Sequence, residues 1–476
     1  MTIRAIGERQ AVGLITAVGT ICRLAALWQP MRYDESVTWA YFVGKPWSTV
    51  VSAYQFPNNH VFFSLLAKAT SSLAPFQPWA LRLPAFIAGV AIVPLTWAVG
   101  RRFASPAVGL LGAALTAGST SLILYSTNAR GYSLVVALFL VLLLLADRLR
   151  QSSRLTDWAT FALLGAFGVY TIPVMLYPLG IVATWLLLAA LRAPERERRR
   201  LVAGVGLACG AAGALTLLLY RPIIRTAGFG ALAGNKFVQP SSWTVFLADL
   251  PRHVAETLVT WVSPLPWWAG LALLVAAMLG VRRTAPSDRP SLAVATSVWC
   301  GALLAITHRV PFVRVWLFLL PLFQLATARG LLRLARRTRA AERFASPLSA
   351  AAVATFMGAV ALVTDAARAS DDTGTFRAAR EITELLAGEL RPGDRVLAPI
   401  PSNGPLLYYF SARGLDTAML ATPPDRTRRA FLVLDPARGR TLAWAVSVRM
   451  IDPATYREPT PLLRRPDVEL WRSERR

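Results

Sequence analysis

The sequence predicts an α-helical polytopic membrane protein of about eleven transmembrane helices, followed by a small C-terminal α/β domain. Three observations carry this. Apolar stretches near the ~20 residues needed to cross ~30 Å of hydrocarbon recur through most of the chain. Arginine-rich connections fall on alternate sides of successive stretches. Beyond residue 364 the long apolar runs stop, and short helix and strand patterns alternate. The whole chain has 476 residues, of which 55% are hydrophobic, with a mean hydropathy of +0.46.

The predicted spans centre on 11–29, 84–100, 106–124, 131–147, 157–172, 173–191, 201–219, 264–281, 291–307, 311–328 and 346–364. The fifth and sixth form one long apolar run, which Pro173 divides because proline cannot donate within a helix. The first span lacks a small-residue cleavage site and is followed by further spans, so it reads as a retained anchor. Cys22, Cys209 and Cys300 all lie in apolar spans, with spacing for neither a disulfide framework nor a zinc site.

The formal net charge is +25. In a soluble chain this would point to nucleic acid. Here the arginines sit in short loops between apolar spans, which suits anionic lipid headgroups and topology control, and no nucleic-acid partner is predicted. Arg101/Arg102, Arg148/Arg150/Arg154, Arg196/Arg198/Arg199/Arg200, Arg282/Arg283 and Arg333/Arg336/Arg337/Arg339 fall on one face. The positive-inside rule makes that face cytoplasmic. The expectation is a multi-pass protein of the inner or plasma membrane with a cytoplasmic N-terminus. Segments 30–83, 220–263 and 365–476 then lie outside. Residues 1–364 form the membrane domain and 365–476 an extracytoplasmic α/β domain.

Val37–Phe42 and Val61–Leu73 are too short to span and read as helices at the membrane surface. In the tail, 376–390 and 405–410 read as helices, and 396–400, 431–434 and 468–471 as strands. Arg391-Pro392-Gly393-Asp394 reads as a turn between them.

Residues able to carry chemistry gather on the predicted outer side. Asp34 and Glu35 follow the first span. They are either solvated acids at a helix boundary or a general base. Glycosyl transfer from a phosphate-linked sugar needs a base for the acceptor hydroxyl. It needs no strong acid, because phosphate already leaves well, unlike the paired carboxylates of a glycosidase. Arg130 precedes the fourth span and Arg314 opens the tenth, with Arg309 just before it. An arginine at a helix N-terminus opposes the helix dipole unless an anion joins it, so these positions suit a phosphate. The alternative is that they reach lipid headgroups. Tyr132 and Trp316 either line the site or anchor the interface. Asn59 and His60 either orient an acceptor or the base, or hold the loop together. His60 has no second histidine nearby, so the residues give little support to a metal, and a divalent cation stays open.

Asp34-Glu35, Asn59-His60, Ala80-Leu81-Arg82-Leu83-Pro84, Tyr125-Ser126-Thr127-Asn128-Ala129-Arg130-Gly131-Tyr132-Ser133-Leu134 and Arg314-Val315-Trp316 with Pro321 occur in that order. In these motifs the chain resembles the GT-C superfamily of integral-membrane glycosyltransferases. The likeness is greatest to bacterial family 39 proteins, relatives of the protein O-mannosyltransferases and the lipid A aminoarabinose transferase. The resemblance implies a polyprenyl-phosphate sugar donor and inverting transfer, on the outer face, to a glycan, lipid or protein. It implies Asp34 as the catalytic acid of the first outer loop, with Arg130 and Tyr132 binding the lipid phosphate. The sequence departs from the pattern at Asn128, where many members carry Glu or Asp. It departs again at Asn58-Asn59-His60-Val61, in place of Asn-His-Pro-Pro. A flippase or transporter of polyprenyl-linked lipid is the alternative. It would call for ionisable residues deep in the spans and two related halves, and no two-fold repeat is visible.

Overall fold

Helices occupy all eleven predicted stretches in the computed structural model of the protein, which describes residues 6–152, 154–234, 237–282, 289–336, 345–420 and 427–476. Of the basic residues cited above, Arg283, Arg337 and Arg339 lie outside the described residues. Among the described residues, seven helices are long and apolar enough to cross a membrane, and nine if two bent pairs each count as one span. The bent pairs are Pro106–Ala117 with Thr120–Ser126, at 63°, and Trp243–Val262 with Trp267–Val281, at 108°. Leu155–Thr171 and Leu292–Thr307, at 17 and 16 residues, lie at or just below the short end of spanning length. By length and composition, the described residues thus support seven to nine of the eleven spans read from the sequence, in a multi-pass membrane protein. Segment 220–263, read from sequence as a loop, is mostly helical. Glu195–Ala227 runs on past Pro222, and Trp243–Val262 is a capped helix whose Ser242 hydroxyl accepts from the Val245 amide.

By contacts the chain divides into two compact units. One comprises the chain up to Leu27, Trp47–Thr70 and Leu81–Arg368. The other comprises Trp28–Pro46, Ser71–Ala80 and Ala369–Arg476.

The first unit is a helical bundle around a core that includes Phe139, Phe161, Trp185 and Phe318, all buried. Its basic connections meet one another. Asp147, buried near the end of helix Tyr132–Gln151, accepts from Arg102 and, at 2.9 Å, from Arg289 Nε. Arg200 donates to the Arg150 carbonyl at 3.0 Å, and Arg333 to the Arg282 carbonyl at 2.7 Å. Asp147 thus ties together three stretches of chain. Replacing it with alanine removes the charge-assisted hydrogen bonds from Arg102 and Arg289, each of which contributes about 1.5–3 kcal/mol, together with a longer one from Gln151. The expected result is a lower thermal unfolding midpoint for Asp147→Ala than for Asp147→Asn, read by fluorescence in detergent.

The second unit holds a four-stranded sheet ordered β1-β2-β4-β3, with β1 at Arg395–Leu397, β2 at Arg429–Leu434, β3 at Thr460–Arg465 and β4 at Val468–Glu474. The β1–β2 pair is parallel and the other two pairs are antiparallel. β2, a central strand, is buried on both faces. Phe431 and Val433 pack with Ile382, Leu386, Leu406 and Phe410 from helices Ala379–Glu389 and Asn403–Arg413. Leu432 and Leu434 face a second core with Leu397, Ala445, Ile451 and Trp471. The predicted turn is closed by Asp394, which accepts the Arg391 amide at 2.7 Å and the Arg429 guanidinium at 2.5 and 3.0 Å.

Candidate functional site

The polar cluster of the helical bundle is built on two short connections. The first, 53–60, leads into helix Val61–Ser71. It is held by Asn59, whose amide donates to the carbonyls of Val50 at 3.0 Å and Ala53 at 2.8 Å, and whose oxygen accepts from Ser64 Oγ at 2.9 Å. That network sets the loop and leaves Asn59 buried, while the next residue, His60, turns to the second connection. There the Gly131 amide donates to His60 Nδ1 at 2.9 Å. Gly131 is the N-cap of helix Tyr132–Gln151. A Cβ at this position would stand 2.5 Å from Thr171 Cγ2, so only glycine allows the approach.

Arg130, almost fully buried, donates to the Asn58 carbonyl at 3.2 Å and to the Asn58 side-chain oxygen at 3.4 Å. The His60 ring meets Tyr132 edge-on, with centroids 5.3 Å apart. The Tyr132 hydroxyl accepts from Arg314 Nε at 3.2 Å, so the tenth predicted stretch delivers a second guanidinium to the same place. Arg314 also lies over the Phe312 ring at 4.3 Å. The bundle therefore brings His60, Arg130, Tyr132 and Arg314 together. Arg309 is half-buried in the connection that precedes Arg314. The Asp147 cluster lies sixteen residues further along helix Tyr132–Gln151 from Gly131. At ~1.5 Å per residue that is roughly 25 Å, close to one bilayer core.

The electrostatics follow from this packing. Burial, with the added charges of Arg130 and Arg314, holds the His60 pKa well below the ordinary histidine range. Because Nδ1 accepts from a backbone amide, the proton of the neutral ring sits on Nε2. Burial pushes the Tyr54 hydroxyl up to about 12, with Arg130 pulling the other way. Two cations thus act on one neutral imidazole. In the unfolded chain a histidine titrates near ~6.5, so as pH falls below that value the unfolded state takes up a proton that native His60 refuses. The His60 contribution to stability is therefore present above pH ~6.5 and declines below it, by at most about 1.4 kcal/mol per pH unit. The thermal midpoint should fall between pH 7.5 and 5.5, and fall less in His60→Gln.

The second unit contains Asp34 and Glu35 on helix Tyr33–Thr38. Glu35 is fully buried, and its Oε1 accepts the Arg32 amide at 2.8 Å. Asp34 is half-buried, and its amide donates to the Thr373 carbonyl at 3.1 Å. Among the described residues no group of three or more His, Cys, Asp or Glu side chains converges as a metal site.

No protein-family model matches the chain, and no curated protein matches it in sequence. Solved structures do match in fold. ArnT from Cupriavidus metallidurans in the apo state aligns at a TM-score of 0.61 with 13% identity, covering 97% of each chain. The same protein bound to undecaprenyl phosphate aligns at 0.59, with the same identity and coverage. The Archaeoglobus fulgidus oligosaccharyltransferase, in complex with Zn and sulfate, aligns at 0.51 with 11% identity, over 97% of this chain and 72% of that one.

The chain shares the fold of these solved structures. This is the architecture the sequence motifs resemble, and at these identities the likeness is one of fold.

Within the helical bundle, the contacts of three polar residues could not be read from the sequence. Asn58 supplies two acceptors for Arg130. Ser133, in the first turn of helix Tyr132–Gln151, is fully buried and its hydroxyl has no partner among the described residues. His253 Nε2 accepts from Trp316 Nε1 at 2.8 Å, tying helix Trp243–Val262 to the segment that carries Arg314. The signal for Asn58 and Ser133 was present, since both lie inside the quoted motifs. Nothing in the sequence pairs His253 with Trp316.

Proposed function

We propose that the protein is a membrane glycosyltransferase that moves a sugar from a polyprenyl-phosphate donor to an acceptor hydroxyl at the extracytoplasmic face, with inversion. The observation that carries this is the convergence of Arg130 and Arg314 around the neutral His60 and Tyr132, at the start of a twenty-residue helix. Guanidinium forks, first-turn amides and the Ser133 hydroxyl are together the chemistry of a phosphate site. The basic connections around Asp147 gather at the other end of that helix, and the positive-inside rule assigns them to the cytoplasm. The fold it shares with ArnT, a protein solved with undecaprenyl phosphate bound, agrees with a lipid-phosphate ligand.

In this reading the acceptor oxygen attacks the anomeric carbon as Asp34 takes its proton. The carbon–oxygen bond to phosphate breaks, and polyprenyl phosphate leaves with its charge met by Arg130 and Arg314. Glu35 secures the helix start beneath Asp34, and Asn59 secures the loop that presents His60. Arg309 adds positive charge on the approach to Arg314. Anionic lipids meet the basic connections, and the acceptor is a glycan, lipid or protein.

The test is binding of undecaprenyl phosphate to purified protein by native mass spectrometry. The wild type should retain the lipid through detergent removal, and Arg130→Met/Arg314→Met should lose it. Equal retention by both proteins would place the phosphate elsewhere.

A further inference from the structure

The helix that carries Asp34 is capped only in part by its own residues, where Glu35 Oε1 accepts the Arg32 amide at 2.8 Å. Its N-cap residue is Arg32, whose side chain only donates, so the first-turn amides of helix Tyr33–Thr38 need acceptors from elsewhere. They find them about 340 residues further along the chain. The Tyr33 amide donates to the Gly374 carbonyl at 2.9 Å, and the Asp34 amide to the Thr373 carbonyl at 3.1 Å. Arg32 then donates to the carbonyls of Ser370 at 2.8 Å and Asp372 at 2.9 Å. Four carbonyls of one five-residue strap are thus turned toward Arg32, Tyr33 and Asp34.

The strap is shaped for this. Thr373 and Gly374 are consecutive residues with φ of 69° and 71°, a conformation that a β-branched residue such as Thr373 adopts only under constraint. A Cβ on Gly374 would stand 2.8 Å from both Tyr33 Cβ and Pro401 Cβ. The strap is itself fixed to the sheet domain: Asp371 accepts from Arg438 and, at 2.9 Å, from the Thr375 hydroxyl. Helix Asn403–Arg413 adds Tyr409, whose hydroxyl accepts the Met31 amide at 3.2 Å, and Tyr408, which meets Trp39 edge-on at 5.1 Å.

We infer that the C-terminal strap 370–374 is the part of the protein that positions the catalytic carboxylate, with Arg32, Gly374 and Tyr409 as positioning residues. This rests on the assignment of Asp34 as the base. A base must sit within hydrogen-bond reach of the proton it removes, so release of this helix start should lower kcat and leave donor binding unchanged.

The experiment uses the full-length protein in detergent, with variants Arg32→Met, Arg32→Lys, Gly374→Ala, Tyr409→Phe and Asp34→Asn. Amide exchange is read by mass spectrometry on peptides covering 29–40. Transfer is read with a panel of radiolabelled undecaprenyl-phosphate hexoses and pentoses and a membrane extract as acceptor. Arg32→Met and Gly374→Ala should speed exchange in 29–40 by about tenfold or more, with the membrane helices unchanged, and cut kcat by about tenfold or more at constant donor KM. Tyr409→Phe should do less, and Arg32→Lys should recover part of the loss. Asp34→Asn should keep wild-type exchange and lose transfer. Unchanged exchange in 29–40 across Arg32→Met, Gly374→Ala and Tyr409→Phe would overturn the proposal. So would wild-type kcat in those variants beside an inactive Asp34→Asn. Turnover retained by Asp34→Asn would remove the base assignment, and the exchange result would then report on the strap alone.

Discussion

Asp34→Asn is expected to lower sugar transfer by about 10²–10⁴-fold, the range a positioned general base supplies. Asparagine keeps the size of the side chain and the backbone amide that bonds to Thr373, so the helix start should survive the change. Donor binding should survive too, because the residues assigned to phosphate belong to the helical bundle. A matched Glu35→Gln variant separates the two acids. Glu35 is buried and accepts the Arg32 amide, a bond that a glutamine oxygen can also accept, so Glu35→Gln should retain most transfer. Initial rates at saturating donor provide the measurement. A Glu35→Gln loss as deep as that of Asp34→Asn would move the base to Glu35.

The second large effect is expected at Arg130. Removing a preorganised group that stabilises developing negative charge costs about 10²–10³ in kcat, or about 2.7–4 kcal/mol. Arg130→Met should show this loss together with weaker donor binding, because phosphate carries charge in the ground state as well as at the transition state. Arg130→Lys should recover only part, since an ammonium restores the charge but not the planar fork that bonds Asn58 at two oxygens. Arg130 is almost fully buried, so thermal unfolding of each variant is the control that its fold survives the change. Steady-state kinetics with one donor, alongside thermal unfolding, checks both halves of this expectation.

Much of this molecule is legible in its sequence because its strongest signals are local. Hydrocarbon length is read directly from hydropathy, which is why every predicted span is helical. Period and turn chemistry likewise place helix Ala379–Glu389, β1, β2 and β4. What was not legible depends on partners far away in sequence. β3 has the sequence Thr-Pro-Leu-Leu-Arg-Arg and is a largely exposed edge strand. Its pairing with β4 makes it a strand, since its own residues show no alternation. Helix Trp243–Val262 mixes exposed Trp243, Leu247 and Val259 with Asp249, Arg252 and Glu256, so it reads as neither span nor strand. The same limit applies to the site. Sequence names Glu35 and Asn59 as able to do chemistry, but says nothing of where their hydrogen bonds go. In the fold those bonds go to the Arg32 amide, to two carbonyls and to Ser64. The bonds from Tyr33 and Asp34 to the 373–374 carbonyls link backbone to backbone, so no side-chain pattern announces them.

Sugar transfer is tested most directly by following both halves of the donor at once. Purified full-length protein reconstituted in lipid vesicles is given undecaprenyl-phosphate sugars labelled in the sugar and, separately, in the lipid phosphate, with a membrane extract as acceptor. Sugar label should appear in the extract in step with release of free undecaprenyl phosphate, in wild type and not in Asp34→Asn. Intact donor that crosses vesicle bilayers without losing its sugar, equally in both proteins, would contradict it and make the protein a carrier of lipid-linked sugar.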